Sequence, residues 1–93
     1  MGYPATGYYC VRMPNPMHDP RYIVFRVLLV EARERQQLTQ VEVSARLKKP
    51  QSYVSKYERG ERRLDLIEWI DITHAVGLDP IATLRKLLRK IDR

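Results

Sequence analysis

TQVEVSARLKKPQSYVSKYERGE, residues 39–61, reads as two short helices joined by a tight turn. Thr39 is placed to cap the first helix, with Glu42 three residues on, the spacing at which a hydroxyl and a carboxylate satisfy each other's backbone N–H groups. Val43 and Leu47, with the small Ala45, make its apolar face. Lys48, Lys49 and Pro50 break the run, because proline lacks an amide hydrogen and disfavours helical backbone at the residue before it. A second helix is expected from Pro50, which suits a first helical position, to Tyr57 or Glu58, turning Val54 and Tyr57 inward at i, i+3 spacing. Gly60 is placed to stop it.

The outward face of the second helix carries Gln51, Ser52, Ser55 and Lys56 on one side of its first turns. None is large and apolar. A side-chain amide can bond an adenine edge bidentately, lysine can bond guanine and serine can serve either, so this face suits the major groove of double-stranded DNA. Polar residues on an amphipathic helix are ordinarily just solvated, and here charge placement changes the reading. Lys48, Lys49, Arg59, Arg62 and Arg63 bracket the helix as a phosphate-clamping rim requires. Between Thr39 and Arg63 seven basic side chains stand against three acidic ones, which is two-thirds of the net charge of +6.

From about Leu28 to Leu84 the chain resembles the Cro/repressor (XRE) type helix-turn-helix regulators. The residues that carry the resemblance are Arg33, Leu38-Thr39-Gln40, Glu42, Val43, Leu47, Val54, Tyr57-Glu58-Arg59-Gly60 and Ala75-Val76-Gly77-Leu78. It implies an all-α, five-helix repressor-like domain whose helices 2 and 3 form the helix-turn-helix. It also implies that Gln40 contacts a phosphate, that Gln51, Ser52, Ser55 and Lys56 face bases, and that Arg33 pairs with Glu58. Lys48 stands at the turn position where the family has glycine; a lysine there needs positive φ, at a cost of roughly 1 kcal/mol.

Other functions find little footing. At 93 residues and 44% hydrophobic content the chain holds one small core and no separate sensor domain. Cys10 is the single cysteine, which excludes an intrachain disulfide or a cysteine-based zinc site, and His18 and His74 lack ligand partners at metal spacing. No metal or cofactor is expected. Neither a nucleophile–base arrangement nor a glycine-rich phosphate loop is present, so the chain does not read as an enzyme. The longest apolar-rich run, Tyr22 to Val30, is broken by Arg26 and is too short to span a bilayer, and the two central helices lack the broad apolar face of a membrane-surface helix. The expected location is the cytoplasm.

Residues 1–20, rich in proline and tyrosine, read as an extended or disordered arm, and 21–93 as the DNA-binding domain. Helix 1 is expected from Arg21 or Tyr22 to Gln36, with Val24, Leu28 and Ala32 in one stripe and Phe25 and Leu29 beside it. Asp65 and Glu68 open helix 4, which turns Leu66, Trp69, Ile72 or Thr73, and Val76 to the core before Gly77 ends it. Asp79-Pro80 opens helix 5, which runs to about Lys90. Leu84, Leu87, Leu88 and Ile91 on helix 5 are either core or the seam of a homodimer, with Leu87 and Ile91 the residues whose substitution is expected to test it. The leading reading is a homodimeric, sequence-specific transcriptional repressor. The rival is an antitoxin or accessory protein that binds a protein partner, through the arm and helix 5, and regulates its own operon.

Overall fold

Asp-Pro pairs and capping boxes open four of the five helices in the computed structural model, which describes residues 18–92. Most of the expected arm, including Cys10, lies outside the described residues. The helices are α1 (Pro20–Arg35), α2 (Gln40–Leu47), α3 (Gln51–Arg59), α4 (Leu66–Ala75) and α5 (Pro80–Ile91), with no strand among the described residues. The all-α, five-helix reading holds. Asp19 accepts from the backbone N–H of Arg21 at 2.8 Å, and its bonds to Arg21 hold its carboxyl at about 2. Pro20 is therefore the first residue of α1, ahead of the expected start at Arg21 or Tyr22. Thr39 with Glu42, and Asp65 with Glu68, form complete capping boxes. In the first, the bonds to Thr39 pull the Glu42 carboxyl below its usual range. α3 is the exception: Pro50 is its N-cap, with ψ at 153° and no side-chain cap. Pro50 is thus extended, one step outside the helix it was expected to begin.

Four helix ends share one solution. At α1, α2, α3 and α4 the chain passes through a left-handed residue, Gln37 (φ 59°), Lys48 (φ 57°), Gly60 (φ 80°) and Gly77 (φ 78°). The residue after it then donates back into the last turn: Leu38 to Arg33 O, Lys49 to Ser44 O, Glu61 to Lys56 O and Leu78 to Thr73 O. Glycine takes this backbone without strain; Gln37 and Lys48 carry the cost of a Cβ in it. At Gly60 a Cβ would also come within 2.9 Å of Arg26 Nε. Arg26 sits there because its Nη1 donates to Glu58 O at 2.9 Å, tying α1 to the end of α3.

The core gathers where α2, α3 and α4 meet α1. Leu29, Val43, Val54, Tyr57 and Ile72 are almost wholly buried, and Trp69 packs beside Phe25 with ring centroids 6.2 Å apart. Each such aliphatic side chain contributes about 1.5–3 kcal/mol of burial. Two expected core positions are corrected. Ala45 is exposed, and the buried neighbour of Val43 is Ser44, whose hydroxyl donates to Val41 O at 2.7 Å and so enters the interior satisfied. Leu66 is 66% exposed because it stands in the first turn of α4, beyond the core; Leu64, just before the helix, fills that place.

Candidate nucleic-acid interface

With Thr39 and Glu42 occupied in the capping box, Gln40 is the first side chain of α2 free to reach across the turn. The turn itself is Lys48, Lys49 and Pro50, with Lys48 at φ 57°, ψ 42°. The positive φ required of Lys48 is present. α3 then buries Tyr53, Val54, Tyr57 and Glu58, and carries Gln51, Ser52 and Lys56 exposed with Ser55 half-buried. At 100° per residue, Gln51, Ser55, Arg59, Ser52 and Lys56 fill one continuous outward arc. Arg59, expected on the rim, thus shares the arc of the four expected readers. It donates to Ser55 Oγ and, through two nitrogens at 2.9 Å each, to Glu61. These bonds raise the basicity of Arg59 and lower the Glu61 carboxyl.

Behind this face lies a chain of four side chains. Arg33 donates to Glu58 at 2.7 and 3.1 Å, and with its third nitrogen to Leu38 O at 2.8 Å. Both partners are sequestered, their side chains 14% and 7% exposed, so the pair is held away from water and its bonds raise the basicity of Arg33. Glu58 also accepts from Gln40 Nε2 at 2.9 Å, and Gln40 Oε1 accepts from Gln51 Nε2 at 2.8 Å. Arg33 and Glu58 are thus brought together as the resemblance implied. Gln40 and Gln51 continue the pair to the surface, a link that a helical wheel cannot show because it joins different helices. Gln40 keeps one amide hydrogen outside these bonds for a further acceptor.

The basic rim is partly engaged. Arg62 donates to Glu68 at 2.7 Å and to Arg63 O at 2.9 Å, and its Cζ lies 4.8 Å from the centroid of the Tyr53 ring. Lys49 Nζ lies 5.4 Å from the same centroid. Burial, and then the charge of Glu68, push the Tyr53 hydroxyl up to about 12. Ion pairs among the described residues take up Arg21, Arg33, Arg59 and Arg62 and leave Lys48, Lys49, Lys56 and Arg63 without a carboxylate.

Away from this face, α5 divides its apolar residues. Thr83 is buried, and the half-buried Leu87 and Ile91 line a crevice with Tyr22, Phe25 and Arg63. Ile81, Leu84 and Leu88 remain 58%, 42% and 44% exposed. The four expected seam residues therefore separate into an inner pair, Leu87 and Ile91, and an outer pair, Leu84 and Leu88.

Residues 29–82 match the helix-turn-helix family model. A solved structure, an XRE-family like protein from Pseudomonas syringae pv. tomato str. DC3000, is 49% identical, spans 80% of this chain and 92% of that one, and superposes with a TM-score of 0.75. The chain belongs to the XRE family. As an XRE-family helix-turn-helix protein it is a DNA-binding transcription regulator. Among curated proteins none matches it. The family match begins within α1 and ends in the first turn of α5, so it contains the whole α2–α3 corner and leaves out the exposed Leu84 and Leu88. No helix among the described residues is long and apolar enough to cross a membrane.

Proposed function

We propose that this XRE-family protein is a homodimeric, sequence-specific repressor of the cytoplasm that lays α3 of each subunit in the major groove. Gln51, Ser52, Ser55 and Lys56 read base edges. Gln40, Lys48, Lys49, Arg59, Arg62 and Arg63 contact phosphates, with Lys48, Lys49 and Arg63 the readiest because no carboxylate among the described residues pairs with them. The observation that carries the reading is the outward arc of α3, polar and uncovered, flanked on both sides by unpaired cations. The dimer is drawn through the outer ridge of α5, where Ile81, Leu84 and Leu88 are exposed together. Two half-sites about one helical turn apart would then mirror the two-fold axis.

Selection of bound duplexes from a random library tests this by returning a site with its spacing. On the selected site Gln51→Ala is expected to cost about 1–3 kcal/mol and to blur base preference at one position, while Arg63→Ala weakens all duplexes alike and lowers the salt slope by about 1. If both variants lose equally on selected and random duplexes, the division into reading and clamping residues fails.

A further inference from the structure

We infer that the outer edge of α5, with the recess beside it, takes the apolar face of an acidic amphipathic helix from a partner protein, and that this partner displaces the second copy of the chain. The displacement rests on the proposed dimer through the same ridge; the binding does not.

At 100° per residue Leu84, Leu88, Ile81, Arg85 and Arg89 follow one another around about 140° of α5. All five are exposed. Three apolar side chains thus run directly into two cations, and neither arginine has a carboxylate partner among the described residues. On its other side the ridge falls into an apolar recess of about 230 Å³ between α1, α4 and α5, lined by Phe25, Leu64, Leu66, Trp69, Leu84 and Leu87. The acid in this recess, Asp65, accepts from Glu68 N at 2.7 Å and so is turned to its own helix. A ridge beside a recess suits a helix laid in a groove with one large side chain as its anchor, and bare apolar surface rimmed by charge marks an interaction site.

Charge selects among the occupants. A second copy meets this surface with the same surface, since a two-fold contact is isologous, and brings Arg85 and Arg89 of both subunits to one interface between chains of net charge +6. Residues 1–17 of the chain's own arm are apolar enough, but they carry Arg12 and neither Asp nor Glu. A nucleic acid answers the arginines and not the ridge. A helix with large apolar side chains along one face and carboxylates at its border fills the recess and pairs with both arginines; opposite charge fixes the choice, and like charge rejects the rivals. Because the partner and the second copy need the same side chains, binding of one excludes the other. Loss of the dimer then loosens the protein from an operator of two half-sites.

Trp69 is the chain's single tryptophan and lines the recess, so its emission reports occupancy. The probe is a synthetic peptide free of tryptophan, with leucine at i, i+3, i+4 and i+7 and glutamate on its outer positions, compared with a twin carrying lysine for glutamate. With the full chain at low salt, the glutamate peptide should shift Trp69 emission at a concentration about tenfold below its twin, and sedimentation should show the dimer giving way to one chain with one peptide. Leu84→Glu with Leu88→Glu should weaken that binding about tenfold. Arg85→Glu with Arg89→Glu, which leaves every proposed DNA contact in place, should invert the order of the two peptides. Peptides that bind alike, or an order unchanged by the arginine reversal, overturn the inference, the latter by assigning the binding to the α3 cations. So does an emission that responds to vesicles of phosphatidylglycerol and not to the glutamate peptide. A dimer that keeps its two chains with the peptide bound overturns the displacement. A free protein that sediments as a monomer overturns the proposed dimer and the displacement with it, and the peptide comparison still decides the binding.

Discussion

The α2–α3 corner and α5 meet solvent in opposite ways. At the corner the polar groups are already bonded to one another: Arg33 to Glu58, Glu58 to Gln40, Gln40 to Gln51, and Arg59 to Ser55 and Glu61. On α5 the inner edge of the apolar arc is packed against α1, the outer edge is bare, and Arg85, Lys86, Arg89 and Lys90 have no ion-pair partner among the described residues. The corner is finished within one chain. Its geometry does not wait for a ligand, whereas the outer edge of α5 gains nothing from the monomer's own fold.

That contrast can be broken most forcefully at Arg33. Arg33→Ala leaves Glu58 buried beside Gln40 without its cation, and removal of one partner from a buried pair costs about 3–5 kcal/mol. Urea denaturation measures it; a loss under about 1 kcal/mol would show that packing, not the pair, holds the corner. Next in size is Lys48→Gly. Relieving the left-handed backbone at φ 57° should raise stability by about 1 kcal/mol, read as a higher Tm, even as DNA affinity falls with the lost charge. An unchanged or lower Tm would mean that the turn is not strained by its side chain. Smallest in stability is the paired change Leu84→Glu with Leu88→Glu. On an uncovered ridge it should shift monomer stability by no more than about 0.5 kcal/mol while sedimentation reports monomers in place of dimers. Mass unchanged in that variant would move the interface off α5. Leu87 and Ile91 are poorer probes, because each is half-buried against α1 and a glutamate there disturbs the fold itself.

Helix number, order and most caps were legible because each is written in a few adjacent residues. Asp79-Pro80 announces α5, and the same pair at Asp19-Pro20 announces α1, although the prolines around the second give it the composition of the arm. Pro50 misled in the other direction: a proline suits the first helical position, but with ψ at 153° it stands one residue earlier, as the cap. Ser44 entered the core against its polarity because a local bond to Val41 O satisfies the hydroxyl, something hydropathy does not encode. At the site, the arc of α3 follows from spacing alone. The Gln40 link does not, since it depends on α1, α2 and α3 converging on Glu58. The division of α5 into a packed and a bare edge likewise depends on where α1 lies.

The missing cap on α3 has its own consequence. Asp19, Thr39, Asp65 and Asp79 each give the first turn of their helix a side-chain acceptor, whereas Pro50 offers only its carbonyl oxygen, which accepts from Tyr53 N at 3.0 Å. The amide protons of Gln51 and Ser52, like those of Gln40 and Val41 in α2, have no acceptor among the described residues and are expected to exchange quickly in the free protein. An acceptor arriving at the turn that Pro50 opens is expected to slow those of Gln51 and Ser52, so these two amides would signal occupancy of the first turn of α3 without any label or substitution.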